Sequence, residues 1–287
     1  MKIIEKFKNK KPVISFEVFP PRLDMAIESI YSKILQYKEL KPDFMSVTYG
    51  AGGSKRDRTI EIASKIQNEY GIECMAHFTC VGHSVEGIDE MLQMLSAHNV
   101  ENILALRGDP PVNQPDFDYS QNAYEYASEL IEHIHSKKNF CVSAAAYVEG
   151  HVSCKTLKED LFYLKEKVDM GVDLLITQLF FDNRLFYDFL DKAEGIGIKC
   201  PVSAGIMPIY KAEQMIKMAA LCGASIPAKL LLIIDKYKDN PEDMQKAGIE
   251  YAGAQVGDLI QNGVAGVHLM TMNKPDSART ILDLAGL

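Results

Sequence analysis

The sequence is poor in the features that mark several large classes of protein. It contains no tryptophan, and its six cysteines lie far apart, without a Cys-x-x-Cys pair or a Cys/His cluster at zinc spacing. No stretch approaches the roughly 18 consecutive apolar residues of a membrane-spanning helix. The amino-terminal residues also lack the apolar segment and cleavage site of a secretory signal. We therefore expect a soluble, cytoplasmic protein with reduced thiols, no metal site and no membrane partner.

Positive charge is also scarce. The formal net charge is −8, and the lysines and arginines form no basic stripe. Because nucleic-acid binding depends on such stripes to neutralise phosphates, we expect no nucleic-acid partner. An anionic ligand would need cations placed locally at its site.

The standard nucleotide-binding motifs are absent as well. The stretch GAGGSK, from residue 50, lacks the third glycine of the G-x-G-x-x-G fingerprint, and the chain has no Walker A sequence. A nucleotide cofactor would therefore have to be held by loop residues rather than by a Rossmann turn.

What the sequence does have is a series of short apolar runs bounded by turn residues, as expected for strands buried on both faces. The eight runs are VISFEVF from residue 13, FMSVTYG from 44, ECMAHFTC from 73, NILALRG from 102, NFCVSAAAY from 139, LLITQLFF from 174, VSAGIMP from 202 and GVHLMTM from 266.

Amphipathic helical patterns lie between these runs. Ile27, Ile30, Ile34 and Leu35, for example, recur at spacings typical of one helix face. Regular alternation of strand and helix favours parallel strands joined by right-handed crossovers. We predict an α/β fold, a (β/α)8 TIM barrel that forms a single domain over residues 1–287; a doubly wound open sheet is the alternative.

One region is longer than the plain pattern requires. Between the seventh and eighth runs there is room for three helices, at about 211–222, 227–238 and 241–262. We predict that these helices are an insertion that decorates the barrel.

In such a barrel the active site lies at the carboxyl ends of the strands, and unusual polar residues collect there. Glu17 is the most unusual, because a carboxylate among Phe16, Val18 and Phe19 is costly to bury unless it is paired, neutral or functional. An ion pair with Arg22 or a lysine is the structural alternative. The other polar residues at strand ends are Thr48, Tyr49, His77, Thr79, Arg107, Gly108, Asp109, Tyr147, His151 and Gln178.

The helix after the fifth run adds a further polar group. Asp160, Tyr163 and Lys167 are spaced three and four residues apart, so they share one helix face. Such a face is commonly just solvated. Because it follows the loop from Tyr147 to His151, it could instead flank an anionic cofactor.

Six motifs, in this order and on successive runs, resemble those of the flavin-dependent 5,10-methylenetetrahydrofolate reductases: SFEVFPPR, MSVTYGAGG, HFTC, ALRGDPP, AAYVEGH and TQLFFD. The resemblance covers nearly the whole chain. It implies a (β/α)8 barrel that carries FAD and reduces methylenetetrahydrofolate to 5-methyltetrahydrofolate.

The resemblance also implies site residues. Glu17 matches the general acid, and Asp109 matches an aspartate near the flavin and the folate pterin. Gln178 matches a folate-contacting glutamine, and Lys274 stands where the pattern often has an arginine that could attract a folate carboxylate. FAD-binding positions match Thr48, Tyr49, Ala51, His77, Arg107, Gly108, Asp109, Ala127, Tyr147, His151, Asp160 and Lys167.

The implied mechanism requires an acid. Substrate N10 must be protonated before hydride transfer, and a carboxyl group in an apolar strand should have a raised pKa, so Glu17 would hold the proton at neutral pH. Nicotinamide and folate would use the same flavin face in turn, giving ping-pong kinetics. NADH is the expected donor, with NADPH as the alternative, and we expect a homo-oligomer.

Two other classes of function remain open from the residues alone. A flavin-free lyase or aldolase with a Schiff-base lysine is disfavoured, since none of the eight runs contains lysine. The chain could also be a catalytic or electron-accepting subunit of a larger complex with another donor. The short segment after the last run leads us to expect no regulatory domain and no control by S-adenosylmethionine.

Overall fold

The computed structural model describes residues 1–9, 11–22, 24–49, 56–110, 117–137 and 139–287. Its eight parallel strands pair in chain order and close into a barrel. Each strand lies within one of the predicted runs, so the predicted α/β barrel is confirmed. The strands are β1 (Val13–Val18), β2 (Phe44–Val47), β3 (Glu73–Thr79), β4 (Asn102–Leu106), β5 (Cys141–Ala146), β6 (Leu174–Thr177), β7 (Val202–Ile206) and β8 (Gly266–Met270).

Helices surround the barrel, and the three predicted between β7 and β8 are present as α7 to α9. No helix in the described ranges is long and apolar enough to cross a membrane. The helices are α1 (Glu28–Glu39), α2 (Arg56–Asn68), α3 (Val85–Ala97), α4 (Ala127–Ser136), α5 (Leu157–Asp169), α6 (Asn183–Gly195), α7 (Ala212–Cys222), α8 (Ala228–Tyr237), α9 (Pro241–Gln261) and α10 (Pro275–Ala285).

The barrel closes where the first strand meets the last. Val13 lies opposite Gly266, and Glu17 lies opposite Met270, in a parallel β1–β8 pairing. An open, doubly wound sheet would leave these strands apart, so that alternative is wrong. Closure brings the last strand of the chain beside Glu17.

Helix α1 shows how the outer layer packs. Ile30 and Ile34 are buried against the barrel, as predicted, but Leu35 is 48% exposed. The next residue to face inward is Tyr37, whose hydroxyl donates to Thr271 Oγ1 at 2.7 Å. Thr271 in turn donates to the backbone oxygen of Glu17 at 2.7 Å. The helix thus braces the strand that carries the unusual carboxylate.

The amino end of the barrel is filled by apolar side chains and closed by a 3-10 helix, Ile3–Lys8. The Ile3 backbone N–H donates to Asn102 Oδ1 at 2.7 Å, which ties this helix to the start of β4. The buried residues of this cluster are Ile3, Val13, Phe44, Met75, Leu104, Leu174 and Ile176.

A polar layer lies above this apolar base. It includes the side chains of Ser15, Ser46 and His268, which hydrogen-bond one another. By the two-residue alternation of a strand, Ser143 and Ser203 also point into the barrel. Their hydroxyl oxygens are buried and have no hydrogen-bond partner among the described residues. The barrel interior therefore changes from apolar to polar toward the carboxyl ends of the strands.

Candidate active site at the carboxyl end of the barrel

A cavity of about 420 Å³ opens at the carboxyl ends of the strands, above the polar layer. Its walls combine apolar side chains, such as Leu104 and Ile176, with many of the polar residues singled out from the sequence. Those predicted site residues that line it are Glu17, Thr48, Tyr49, His77, Arg107, Gly108, Asp109, Tyr147, His151 and Gln178.

Glu17 sits between two imidazoles. Its Oε2 lies 3.6 Å from Nε2 of His77 and 3.8 Å from Nε2 of His268. The Glu17 side chain is 21% exposed, whereas His77 is 7% and His268 1% exposed. The carboxyl group therefore reaches the cavity while both rings lie behind it, and neither Arg22 nor a lysine pairs with it among the described residues.

These neighbours reverse the predicted pKa of Glu17. Burial by itself would raise it, but the nearby imidazoles of His268 and His77 outweigh burial and lower it. Burial also lowers the pKa of His77, to about 4, so that ring is neutral at neutral pH. Stabilisation of the Glu17 carboxylate at neutral pH therefore depends mainly on His268. The prediction of a raised pKa was wrong because it considered only the apolar neighbours in sequence.

His268 is the functional candidate that the sequence reasoning missed. Its Nδ1 lies 2.7 Å from Ser15 Oγ, and its Nε2 lies 3.3 Å from Ser46 Oγ. The signal was present in the run GVHLMTM: alternation places His268 on the same side as Met270, and closure places β8 next to β1. A histidine at that position must face Glu17.

The loop after β4 places a cation and an anion at the cavity. Gly108 has φ +90°, and a Cβ there would lie 2.9 Å from Thr79 Cβ, so only glycine fits between Arg107 and Asp109. The Tyr119 hydroxyl donates to the Gly108 oxygen at 3.1 Å, and its ring lies 4.4 Å from the Arg107 guanidinium carbon. Both charged side chains are thereby held at the rim.

Aromatic and amide groups line other parts of the rim. The rings of Tyr147 and His151 make an edge contact, with centroids 4.7 Å apart, and burial raises the pKa of Tyr147 to about 12, which keeps its phenol neutral. Gln178 Oε1 accepts the Leu179 backbone N–H at 2.8 Å. That bond orients the amide, whose nitrogen has no hydrogen-bond partner among the described residues.

Four predicted site residues do not line the cavity. Lys167 is partly buried behind its wall, where Nζ donates to the Ala145 oxygen at 2.8 Å, and desolvation lowers its pKa. Asp160, on the same helix, is also buried, whereas Tyr163, predicted to share their face, is 49% exposed. Ala127 begins helix α4.

Lys274 is the fourth. Its Nζ lies 3.6 Å from the centroid of the Tyr210 ring and 3.3 Å from Gln245 Oε1. These contacts hold it beyond the end of β8, outside the cavity wall. Ala51, also predicted to bind the cofactor, lies outside the described residues.

The chain is similar to known proteins over nearly its whole length. The family model described as methylenetetrahydrofolate reductase matches residues 2–286. A relative from Arabidopsis thaliana, methylenetetrahydrofolate reductase (NADH) 1, is 37% identical over the whole chain, which covers 51% of that protein. The 5,10-methylenetetrahydrofolate reductase of Escherichia coli is 33% identical, with 96% of this chain and 90% of that protein covered. The chain thus spans about half the length of the plant relatives.

A solved structure shares the fold at low sequence identity. A Clostridium thermocellum protein, described as binding two copies of 5-methyl-5,6,7,8-tetrahydrofolic acid, superposes with a TM-score of 0.62 at 14% identity. The alignment covers 98% of this chain and 96% of that one. Because the family model matches nearly the whole chain and the Escherichia coli relative is covered over 90% of its length, the chain belongs to the methylenetetrahydrofolate reductase family.

Proposed function

We propose that this protein is an FAD-dependent oxidoreductase that reduces 5,10-methylenetetrahydrofolate to 5-methyltetrahydrofolate, with NADH as the electron donor. The observation that carries the proposal is the cavity in which Glu17, Asp109 and Gln178 meet. An acid, an anion and an amide converge there, in a chain of the reductase family. The printed names of the plant relatives support NADH as the donor.

The residues present fit a flavin nucleotide. The buried Nε2 of His77 has no hydrogen-bond partner among the described residues and so can serve a bound group. The guanidinium of Arg107 supplies a cation at the rim for an anionic cofactor. When bound, FAD would supply hydride transfer between nicotinamide and folate. The residues proposed to hold it are Thr48, Tyr49, Ala51, His77, Arg107, Gly108, Asp109, Ala127, Tyr147, His151, Asp160 and Lys167.

Lys167 and Asp160 would act indirectly in this arrangement. Lys167 holds the Ala145 carbonyl, and Ala145 lines the cavity. Asp160 attracts the Lys167 ammonium and so opposes the effect of burial on its pKa. The pair would therefore shape the cofactor wall from behind.

The chain's own acid would begin the chemistry on the folate. Glu17 would protonate N10, which opens the five-membered ring and leaves a cationic iminium at N5. Asp109, an anion on the same cavity, would stabilise that cation. Gln178 would orient the pterin through its amide nitrogen, and Lys274 would attract a folate carboxylate from beyond the rim.

Nicotinamide and folate would occupy this cavity in turn. The acid, the anion and the amide all face one opening at the carboxyl ends of the strands. If both substrates exchange hydride with the same flavin face, the first product must leave before the second substrate enters. The proposal therefore includes ping-pong kinetics.

An anaerobic absorbance titration of the purified protein tests the proposal. A yellow protein that NADH bleaches and methylenetetrahydrofolate re-oxidises would carry both half-reactions on this chain. If NADH leaves the flavin oxidised but dithionite-reduced protein still reacts with the folate, the chain is a reductase whose electrons come from NADPH or a partner subunit. A colourless protein that does not bind added FAD would contradict the proposal.

A further inference from the structure

Just beyond the end of β1, the backbone leaves the barrel sheet. The β1–β8 pairing ends where Glu17 lies opposite Met270, and the strand itself ends one residue later, at Val18. Phe19 comes next, and the two residues after it are prolines, which have no backbone N–H to donate. Phe19 is therefore the last residue before the loop that can be held through both its N–H and its carbonyl group.

The side chain of Asn273, which follows β8, binds the backbone at this point. Its Oδ1 accepts the Phe19 N–H at 3.1 Å, and its Nδ2 donates to the Phe19 carbonyl oxygen at 2.9 Å. The two bonds replace those that a neighbouring strand would make, although one side-chain amide supplies both. Asn273 is only 7% exposed, so water competes little for these bonds. We call this pair of hydrogen bonds the amide clamp.

The backbone that carries Asn273 has an unusual conformation. Met272 and Asn273 have φ of +53° and +55°, in the left-handed region. The Lys274 N–H donates to the Thr271 oxygen at 3.1 Å and closes the turn. Asparagine tolerates left-handed backbone, but methionine is uncommon there. Strained residues persist where the surrounding structure holds them, and they concentrate at functional sites. Here the strained turn is what brings the Asn273 amide back to β1.

The amide clamp lies next to the acid of the proposed reaction. Glu17 is two residues before Phe19, and its own carbonyl accepts from Thr271 Oγ1 at 2.7 Å. On the other side of β1, the Val18 carbonyl accepts the Thr48 N–H at 3.0 Å. The backbone around Glu17 is therefore held from both neighbouring strands, and the amide clamp is the last of these contacts before the prolines. A carboxyl group on a fixed backbone keeps a fixed distance to a bound substrate.

We propose that Asn273 is a positioning residue for proton transfer to the folate: its amide holds the backbone next to Glu17, so that the carboxyl group meets N10 at hydrogen-bond distance. This inference rests on the proposed function. Asn273 acts through the Phe19 backbone and does not itself contact the substrate. Lys274, the next residue, is held separately, by a cation–π contact and a hydrogen bond. The amide clamp therefore serves the acid rather than the proposed contact between Lys274 and a folate carboxylate.

Stopped-flow measurement of the two half-reactions tests the inference with Asn273→Gly. Glycine accepts the left-handed conformation, so this variant removes the amide clamp without adding backbone strain. Its reduced flavin should be re-oxidised by methylenetetrahydrofolate about 10- to 100-fold more slowly than in the wild type, as when a catalytic group is misplaced. NADH should reduce the flavin within about twofold of the wild-type rate, because that step needs no proton from Glu17. Equal losses in both half-reactions, or no loss in either, would overturn the proposal.

Lys41→Gly is the matched control for the glycine substitution. Lys41 also has a left-handed backbone, with φ +52°, and its side chain is exposed. The change therefore relieves the same kind of strain and leaves the amide clamp in place, so both half-reactions should run at the wild-type rate. If Lys41→Gly slows folate-driven re-oxidation as much as Asn273→Gly does, the loss does not come from the amide clamp and the proposal is wrong.

The dependence of re-oxidation on folate concentration separates positioning of the acid from binding of the substrate. Asn273→Gly should lower the limiting rate at saturating folate, whereas the half-saturating concentration should stay within about threefold of the wild-type value. A loss confined to the half-saturating concentration would show that Asn273 supports folate binding, which contradicts the proposal. A wild type without folate-driven re-oxidation would instead contradict the proposed function.

Amide hydrogen exchange tests the amide clamp without any turnover. In Asn273→Gly the Phe19 N–H loses its acceptor, so it should exchange at least about tenfold faster than in the wild type. The Thr48 N–H, which donates to the Val18 oxygen, is the internal control and should exchange as before. Unchanged exchange at Phe19 would mean that Asn273 does not hold it, and faster exchange at both amides would mean that Asn273 supports the barrel as a whole. Either result contradicts the proposal.

Discussion

At the scale of single residues, the site is organised around one carboxyl group and what lies behind it. Glu17 contacts the cavity on one side and two imidazoles on the other. The rings have different surroundings: Ser15 and Ser46 hydrogen-bond His268, whereas Nε2 of His77 has no such partner among the described residues. Two histidines at similar distances can therefore have different chemical roles.

Replacing Glu17 by Gln should abolish reduction of methylenetetrahydrofolate, because an amide cannot donate a proton to N10. Reduction of the flavin by NADH should persist. Single-turnover absorbance traces of each half-reaction measure both effects. Loss of both half-reactions would show that Glu17 supports the site as a whole rather than serving as its acid.

His77 should make the protein less stable in acid. The unfolded chain binds this proton below about pH 6.5, whereas the folded protein resists it to about pH 4. The contribution of neutral His77 to the free energy of unfolding is therefore fully present above pH 6.5 and falls as the pH drops toward 4. The decrease is at most about 1.4 kcal/mol per pH unit for one proton. Urea unfolding across this range should show a shallower decline in His77→Gln. His98→Gln, at an exposed histidine, is the control and should retain the wild-type slope.

The sequence identified Glu17 and most of the cavity lining, because polar residues at the ends of apolar runs are conspicuous. It did not reveal His268, whose importance depends on the contact between the first and last strands. It also could not show that Lys167 binds the Ala145 oxygen or that Lys274 packs on Tyr210. Long lysine side chains can reach several partners, and only tertiary structure decides among them.

At the scale of elements, apolar composition determines where the strands form, and single residues determine how closely neighbouring strands approach. β6 and β7 approach so closely that a Cβ on Gly205 would lie 2.0 Å from the Thr177 oxygen. The Gly205 backbone N–H also donates a hydrogen bond to Thr177 Oγ1 at 2.8 Å. Here glycine is required by backbone approach, since its own conformation is ordinary.

Gly205→Ala should therefore destabilise the barrel by about 1–3 kcal/mol or more, as over-packing of a close contact does. Gly195→Ala is a matched control: Gly195 ends helix α6, and a Cβ there meets nothing within 4 Å. It should leave stability unchanged or raise it by up to about 1 kcal/mol. Chemical denaturation of both variants measures the difference, and equal stabilities would contradict the close approach.

Prediction of the elements succeeded because each strand is a short apolar run and each helix a longer amphipathic one. Even the insertion was visible, since α7 to α9 lie close to the three ranges that spacing indicated. The error at Leu35 has a simple cause: it follows Ile34 directly, so the two side chains point about 100° apart on the helix. Tyr37 was overlooked because tyrosine is less often fully buried than leucine.

At the scale of the whole molecule, the two ends of the barrel differ. The amino end is apolar and closed by the Ile3–Lys8 helix, and the carboxyl end is polar and open to the cavity. Such a division lets packing at one end stabilise the fold without constraining the site at the other. The single-domain organisation, the homo-oligomeric state and the cytoplasmic location stay predictions.

Ile3→Ala tests this division. Ile3 is fully buried, so the variant should lose about 2–5 kcal/mol of unfolding free energy. Ile216→Ala, at a side chain 48% exposed on α7, should change stability by only about 0.5 kcal/mol. Turnover by folded Ile3→Ala at room temperature should equal that of the wild type. Reduced turnover at full folding would show that the two ends are coupled.

The meeting of β1 and β8 also bears on when the protein becomes competent during its synthesis. Ser15 and His268 are separated by 253 positions. Ser15 therefore leaves the ribosome long before His268, to which it hydrogen-bonds in the folded protein. Contacts between such distant positions form late and slow the folding of a chain. A nascent chain halted before β8 would carry Glu17, Asp109 and Gln178 and still lack the ring behind the acid. Premature release would thus yield an inert product rather than an unregulated enzyme.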